Sequence, residues 1–204
     1  MKGIMFTQPM FNAVIKGRKT QTRRIVKPQP EEIKQGFCDN SICLNYDTFL
    51  GKDGKWYLNS YGDKSTQPRY KVGEKLYLKE PYFIDDDRVI YRFDNYKDDH
   101  LICKWSNKLF MPEKYARYFI EITDVRVERV QDISVEDCLK EGIIKINITV
   151  DGFNREHCTY SFLGERMNYL TTKQAYAALF DSINGKGTWA SNPFVFCYSF
   201  KLTS

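Results

Sequence analysis

The sequence predicts an α+β fold in which a mainly antiparallel β-barrel carries a few helices packed at its ends. Three observations support this prediction. Short segments with alternating apolar and polar residues, which are typical of strands, outnumber the amphipathic helical segments. The strands and helices do not alternate regularly, as they would in a parallel sheet. The aromatic content, 14 Tyr and 14 Phe in 204 residues, also favours strands.

The N-terminal half begins with a predicted helix and continues into a polar region. A helix is expected at residues 9–16, because its first residue is a proline, which a first turn tolerates, and Gly17 suits a helix end. Residues 31–70 are rich in Asn, Asp and Gly, and Asp53-Gly54 lies between two β-type segments. This dipeptide predicts a hairpin within a peripheral insertion.

Alternation of apolar and polar residues defines the other predicted strands. They lie at residues 75–80, 88–93, 115–130, 144–150 and 194–202. Pro81 should end the pairing of the first of these, because proline has no N–H to donate. In the longest one the alternation shifts by one residue at Asp124, which indicates a β-bulge. The last strand places its aromatic residues on one face, which we expect to face the core.

Capping boxes predict two helices in the C-terminal half of the chain. The first box begins at Ser134 and starts a helix that ends at Glu141, with Gly142 beyond it. The second begins at Thr171 and starts a longer helix that ends at residue 184. Both predictions depend on local hydrogen bonding from the hydroxyl to the first turn of the helix.

The length predicts a single domain over residues 1–204, with insertions at 31–70 and 145–170. A chain of this size buries enough apolar surface to fold without disulfides or metal ions. Its six cysteines are scattered and form no CxxC pair, which argues against a disulfide framework.

Positive charge is concentrated near the N-terminus. Residues 1–30 hold seven basic side chains and no acidic one, whereas the other 174 residues hold 24 basic and 26 acidic groups. Six of the seven lie in residues 16–27. Such a concentration is typical of proteins that bind phosphate-bearing ligands. Arg18, Arg23 and Arg24 are therefore candidate phosphate-binding or nucleic-acid-binding residues, although a solvated basic loop would show the same pattern.

Other classes of function find little support in the sequence. No apolar run approaches the roughly 20 residues that span a bilayer, and the N-terminus lacks the features of a signal peptide, so we expect no membrane contact and a cytoplasmic location. No glycine-rich phosphate loop implies a nucleotide triphosphate, and we predict no cofactor. We also predict no metal, because the spacings of the four candidate zinc ligands are loose; these are Cys38, Cys43, His100 and Cys103.

The string Gly17-Arg-Lys-Thr-Gln-Thr-Arg-Arg24 after a short helix resembles the ASCH domain, a PUA-like β-barrel family, and especially its larger phage and prophage members. Further similar segments follow in the expected order, at residues 73–80, 104–105, 111–112, 120–128, 133–142 and 192–194. The resemblance covers nearly the whole chain. It implies a barrel whose cleft lies beside the helix-to-strand junction that carries the basic string.

The resemblance also implies candidate catalytic residues. ASCH-like proteins include proposed RNA-binding modules, members reported to cut RNA, and small amidohydrolases that remove acyl groups from N4-acylated cytidine. In the amidohydrolases the catalytic set is a Lys, a Thr three residues later and a Glu near the end of the following helix. The matching residues here are Lys19, Thr22 and Glu141. The implied partners are therefore RNA or a modified nucleoside.

These residue types can perform the chemistry under two conditions. A Thr hydroxyl is a weak nucleophile that needs a base, and a lysine is a base only when neutral, which at a pKa of about 10.4 is roughly 0.04% of it at pH 7. Neighbouring arginines and burial would lower the pKa of Lys19, whereas Glu141 would raise it. Lys19 and Thr22 would face opposite sides of a regular strand, so they converge only if Lys19 precedes the strand.

The sequence supports several functions. The preferred one is binding of RNA or a modified nucleoside, with amidohydrolase activity on N4-acylated cytidine. A non-catalytic RNA-binding module would use the basic string as a phosphate-binding loop and stack bases on Trp105, Tyr115 or Trp189. The same features are also compatible with an RNA-cleaving nuclease and with a phage accessory protein that acts through protein contacts.

Overall fold

A computed structural model describes residues 1–27, 29, 42–44, 48–50, 56–58, 68–86, 88–94, 104–149, 156–162 and 168–203. For residues 42–44, 48–50, 56–58, 148–149 and 156–157 it describes the backbone alone.

This part of the chain forms twelve strands, three α-helices and four short 3-10 helices. The strands are β1 (Lys2–Met5), β2 (Gln21–Ile25), β3 (Ile42–Leu44), β4 (Thr48–Leu50), β5 (Trp56–Leu58), β6 (Lys75–Lys79), β7 (Tyr82–Asp85), β8 (Arg88–Tyr91), β9 (Phe119–Arg129), β10 (Ile143–Thr149), β11 (Glu156–Phe162) and β12 (Phe194–Thr203). The α-helices are α1 (Gln8–Ile15), α2 (Val135–Lys140) and α3 (Thr172–Asn184). The 3-10 helices are Arg92–Asp94, Lys108–Phe110, Glu113–Tyr115 and Val130–Asp132. This content confirms the α+β prediction.

A five-stranded sheet forms the centre of the molecule. Its strand order is β1-β6-β9-β12-β2, in which β1 and β6 run parallel and the other neighbours run antiparallel. Strands β1 and β2 are its edges, so these strands form an open sheet, and the closed barrel of the prediction is not seen among the described residues. The apolar core contains residues from this sheet, from α1 and from α3.

The predicted β-bulge lies in β9. Ser199 of β12 pairs with Asp124, whereas the next residue, Phe200, pairs with Ile122. Thr123 is therefore the extra residue of the bulged strand, at the position where the alternation shifts. A bulge of this kind bends the strand and increases its twist.

The last strand is the core strand that its pattern predicted, and it is buried on both faces along its first half. Strand β12 lies between β9 and β2, and Val195 and Cys197 are as fully buried as Phe196 and Tyr198. The two faces differ in character. Phe196 and Tyr198 belong to the apolar core, whereas Cys197 pairs directly with arginines of the two neighbouring strands.

Both capping boxes start helices as predicted. The hydroxyls of Ser134 and Thr171 accept hydrogen bonds from the N–H groups of Asp137 and Gln174, each at 3.1 Å. The longest described helix, α3, has 13 residues. None of the helices in the described part of the chain is long and apolar enough to span a membrane.

A three-stranded sheet and two hairpins accompany the central sheet in the described part of the chain. Strands β3, β4 and β5 pair antiparallel in that order. The pairing of β4 with β5 confirms the predicted hairpin, whose Asp53-Gly54 turn lies outside the described residues. Strands β10 and β11 pair within the second predicted insertion. Strands β7 and β8 pair as well, and β7 was not predicted; it begins directly after Pro81, where the pairing of β6 has ended. The division into one domain with two insertions stays a prediction.

Candidate functional site

The connection between α1 and β2 fixes the position of Lys19. The Lys19 N–H donates to the Ala13 carbonyl at 3.0 Å, and the Thr20 N–H donates to the Lys140 carbonyl at 2.9 Å. The loop is thereby tied to both α1 and α2. Lys19 precedes β2, so it meets the condition under which its side chain and that of Thr22 converge on one cavity.

Lys19 and Glu141 form a buried ion pair. The Lys19 Nζ donates to Oε2 of Glu141 at 2.5 Å and to its backbone carbonyl at 2.9 Å. The side chains are 4% and 5% exposed, respectively. Glu141, the residue that follows α2, is therefore buried and paired instead of exposed at the helix end. Because burial penalises charge, an unpaired Lys19 ammonium here would be strongly destabilising.

Gly142 allows α2 to end against Lys19. Its φ is +103°, in the left-handed region that favours glycine. A Cβ atom at this position would lie 3.3 Å from the Met10 Sδ and 3.8 Å from the Lys19 Cβ. The turn therefore needs a residue that accepts a positive φ and adds no side chain, and it places Glu141 beside the Lys19 amine.

The ion pair belongs to a group of six charged residues, which we call the charge cluster: Lys19, Arg23, Arg126, Glu128, Asp137 and Glu141. Arg23 donates to Oε1 of Glu141 at 3.0 Å, to Asp137 at 2.9 Å and to Glu128 at 2.7 Å. Arg126 also donates to Glu128, at 3.0 Å, and to Asp137. The cluster holds three cations and three carboxylates, so it is neutral when Lys19 is protonated.

The cluster gives Arg23 a role different from the predicted one. Its side chain is fully buried, and all three of its guanidinium nitrogens donate to cluster carboxylates. A guanidinium saturated in this way has little capacity left for a phosphate. We therefore assign Arg23 to the positioning of Glu141, whose other oxygen meets Lys19.

A cavity of about 220 Å³ lies beside the ion pair. Its polar lining includes Lys19, Thr22, Arg24, Lys108 and Glu141. Its apolar lining comes from the β1–α1 region and from one side of α3, with Met5, Phe6, Met10, Tyr176, Leu179, Phe180 and Ile183. Within the described residues, the Thr22 hydroxyl makes no hydrogen bond. A ligand in the cavity would therefore meet a free hydroxyl, an amine and an aromatic wall.

The structure brings together most, but not all, of the residues that the sequence indicated. Lys19, Thr22, Arg23, Arg24 and Glu141 line one cavity. Arg18 does not; it is exposed on the loop before Lys19. Of the candidate zinc ligands, Cys38, His100 and Cys103 lie outside the described residues, and only the backbone of Cys43 is described.

The aromatic residues predicted to stack on bases are not part of the cavity lining. Trp105 packs edge-on against Phe83, Tyr115 packs against Tyr82, and Trp189 packs against Tyr176. All three predicted residues are half-buried. The aromatic lining instead comes from Phe6, Tyr176 and Phe180, and nothing in the sequence distinguishes these residues from core residues.

Lys108 is a cavity residue that the sequence analysis did not identify. Its Nζ donates to the Phe6 carbonyl at 2.7 Å, across 102 positions of the chain. The available signal was indirect: the segments on either side of it, 104–105 and 111–112, are among those that resemble the phage-type family members.

Burial sets the protonation of two cavity residues. It lowers the pKa of Lys19 below the ordinary value of 10.5; the pairing with Glu141 opposes this shift, and the charges of Arg24 and Arg23 add to it. Burial raises the pKa of the Tyr176 hydroxyl well above 10, so this group keeps its proton at neutral pH. The cavity thus combines an amine that loses its proton more readily than usual with a phenol that holds its proton more firmly.

The shifted amine predicts the pH dependence of any reaction that uses Lys19 as a base. The neutral form increases as the pH rises, so kcat/KM should rise with pH and level off, with a midpoint below 10.5. The measurement is kcat/KM from about pH 6 to about pH 10, corrected for the rate without enzyme. A flat profile, or a rate that falls as the pH rises through this range, would contradict the prediction.

Comparison of the chain with protein-family models, with curated proteins and with solved structures found no match.

Proposed function

We propose that this chain is an ASCH-like protein with a PUA-like fold, which binds RNA or a modified nucleoside in the cavity and hydrolyses the acyl amide of N4-acylated cytidine. The observation that carries the proposal is the buried Lys19–Glu141 pair in the same cavity as Thr22. These are the three residue types, in the chain order and at the chain positions, that the resemblance implies for the amidohydrolases. The proposal includes a cytoplasmic location and no cofactor.

The size and lining of the cavity support a ligand of a single nucleoside or nucleotide unit. Pockets for drug-sized ligands typically have volumes of about 300–1,000 Å³, and this one has about 220 Å³. Its apolar wall, with Phe6, Tyr176 and Phe180, suits the flat face of a base. Its polar lining includes Lys19, Thr22 and Glu141, which an amide on the base would meet. The cavity therefore fits a base with a small substituent better than a folded RNA.

The proposed reaction has two steps, in which Lys19 moves the proton. Neutral Lys19 takes the proton of the Thr22 hydroxyl, and Oγ attacks the acyl carbonyl carbon. The carbon–N4 bond then breaks, and Lys19 gives the proton to N4, so cytidine leaves and the acyl group stays on Thr22 as an ester. In the second step Lys19 takes a proton from water, and the resulting hydroxide attacks the ester carbonyl carbon. The bond from that carbon to Thr22 Oγ then breaks, Lys19 returns the proton to Oγ, and the carboxylic acid leaves.

Glu141 and the charge cluster support the intermediate state of this reaction. The Lys19 ammonium forms 2.5 Å from the Glu141 carboxylate, so its charge is balanced where it appears. Arg23 holds the other carboxylate oxygen at 3.0 Å. The carboxylate is therefore fixed before the reaction begins, and no rearrangement is needed when the ammonium forms.

One observation favours a second function, binding without chemistry. The same 2.5 Å contact stabilises the protonated amine, and a lysine that stays protonated cannot act as a base. In that case Lys19 and Arg24 would act as cations toward RNA, as in a non-catalytic RNA-binding module.

Release of cytidine from N4-acetylcytidine distinguishes the two functions. We expect the purified protein to release cytidine and acetate, and the Lys19→Ala variant to release neither above the rate without enzyme. The variant must show the circular-dichroism spectrum and thermal transition of a folded protein for the comparison to hold. If the folded wild-type protein releases no cytidine but binds it, the amidohydrolase proposal is wrong and binding without chemistry replaces it.

A further inference from the structure

We propose that Arg24 and Lys108 form an anion subsite, so that the ligand of the cavity is a phosphorylated nucleotide and not a neutral nucleoside. This inference rests on the binding part of the proposed function and is independent of the hydrolytic part. The sequence predicted that Arg18, Arg23 and Arg24 bind phosphate. In the structure Arg18 lies outside the cavity, and the hydrogen-bond donors of Arg23 are taken up by carboxylates. Lys108 was not among the predicted residues.

The two cations differ from the rest of the cavity in their lack of a counter-charge. The charge cluster is internally balanced, with three cations and three carboxylates. Among the residues that the structure describes, no carboxylate lies within 4 Å of the cationic groups of Arg24 or Lys108. Both side chains are nevertheless half-buried and line the cavity. Two partly buried positive charges without an acidic partner destabilise the folded state, and an anionic ligand would offset this destabilisation.

Backbone carbonyls hold both cations at one place. Arg24 donates through Nη2 to the Met5 carbonyl at 2.9 Å, and Lys108 donates to the Phe6 carbonyl at 2.7 Å. Met5 and Phe6 are consecutive, and consecutive Cα atoms lie about 3.8 Å apart. Both side chains line the same cavity, and burial together with the charge of Arg24 lowers the pKa of Lys108, so the two cationic groups lie within electrostatic range of each other.

The remaining donors match a phosphate group. A guanidinium has five N–H donors in a planar fork and an ammonium has three. The contacts with the Met5 and Phe6 carbonyls use one hydrogen bond of each side chain. Several donors of each group are left for phosphate oxygens, which arginine binds in pairs and lysine binds as a point charge. The position also suits a nucleotide, because Phe6, whose carbonyl holds Lys108, belongs to the aromatic wall proposed for the base.

Calorimetric binding of unreactive ligands tests the subsite without relying on hydrolysis. The probes are cytidine, its 5′-monophosphate, its 3′-monophosphate and a short RNA with one central cytidine. We expect at least one monophosphate to bind about tenfold or more tightly than cytidine. Arg24→Ala and Lys108→Ala should each remove most of that advantage, whereas Arg18→Ala, a matched arginine on the neighbouring loop, should preserve it.

A measurement that needs no variant keeps the test valid if a substitution disturbs folding. Added salt should weaken the binding of the monophosphate and leave that of cytidine nearly unchanged, because only the former includes a charge contact. If the RNA binds more tightly than either monophosphate, the phosphate belongs to a chain; if it binds no more tightly, the phosphate belongs to a free nucleotide.

Two outcomes would overturn the proposal and are distinguishable. If cytidine binds and neither monophosphate binds more tightly, the anion subsite is wrong and the proposed function stands. If the folded protein binds none of the four probes, both the subsite and the proposed function are wrong.

Discussion

Replacing Thr22 by valine should reduce the turnover of N4-acetylcytidine by about 10⁴-fold or more, which is the scale of loss when a nucleophile of a catalytic set is removed. Valine exchanges the hydroxyl for a methyl group of similar size. Thr22 is buried in β2 opposite Tyr198, where a β-branched residue suits the strand. The loss should therefore appear in kcat and not in the free energy of unfolding.

Three further variants test this prediction. Thr22→Ser keeps a hydroxyl and should keep measurable turnover, and Thr20→Val makes the same chemical change at a position outside the cavity lining and should leave turnover unchanged. A double variant, Thr22→Val with Lys19→Ala, should be no slower than the slower single variant, because residues that act as a unit are not additive. A Thr22→Val enzyme within about tenfold of the wild-type rate would exclude Thr22 as the nucleophile.

Removing the Glu141 carboxylate should destabilise the fold by about 3–5 kcal/mol, the usual cost of leaving a buried charge without its partner. In Glu141→Ala both Lys19 and Arg23 lose a hydrogen-bonded carboxylate at 2.5 and 3.0 Å. Urea denaturation gives the change in the free energy of unfolding. The matched control is Glu121→Ala, because Glu121 pairs at 3.3 Å with a Lys201 whose side chain is 60% exposed. That variant should lose about 1 kcal/mol or less.

The pH dependence of the Glu141→Ala variant offers a further check. Without its counter-charge Lys19 should lose its proton at lower pH than in the wild type, because burial and the neighbouring arginines still lower its pKa. The native state then binds fewer protons than the unfolded state, so the variant should regain stability as the pH rises toward the pKa of an unfolded lysine. If Glu141→Ala lowers the free energy of unfolding by less than about 1 kcal/mol at neutral pH, Glu141 does not stabilise the charge cluster as predicted.

Local signals in the sequence predicted local features well. The hydroxyls of Ser134 and Thr171 start their helices as the capping boxes indicate, because the hydrogen bonds involved span only three residues. The one-residue shift at Asp124 marked the bulge in β9, because alternation reports directly which face each side chain occupies. The requirement that Lys19 precede the strand was also a local geometric condition, and it is met because β2 begins at Gln21.

Features that depend on distant parts of the chain could not be predicted. Arg23 was predicted to bind phosphate because its three carboxylate partners lie more than 100 positions away in the chain. One partner is in β9, one is in α2 and one is the residue that follows α2. Lys108 gave no sign that its side chain would reach the carbonyl of Phe6. The burial of both faces of β12 followed from its place between β9 and β2, whereas alternation indicated one apolar face. In each case the sequence shows the residue but not its neighbour.

The turn after α2 has a consequence for how this protein can diverge. Gly17 also has a positive φ, +68°, but no atom lies within 4 Å of the position of its missing Cβ, so an asparagine there would meet a modest backbone cost alone. At Gly142 an added Cβ would crowd the Met10 sulfur at 3.3 Å, whereas the Lys19 side chain, at 3.8 Å, would be at ordinary contact distance. Homologues should therefore vary more freely at position 17 than at position 142. A homologue without glycine at 142 should carry a compensating change at position 10, where the nearest side-chain atom lies.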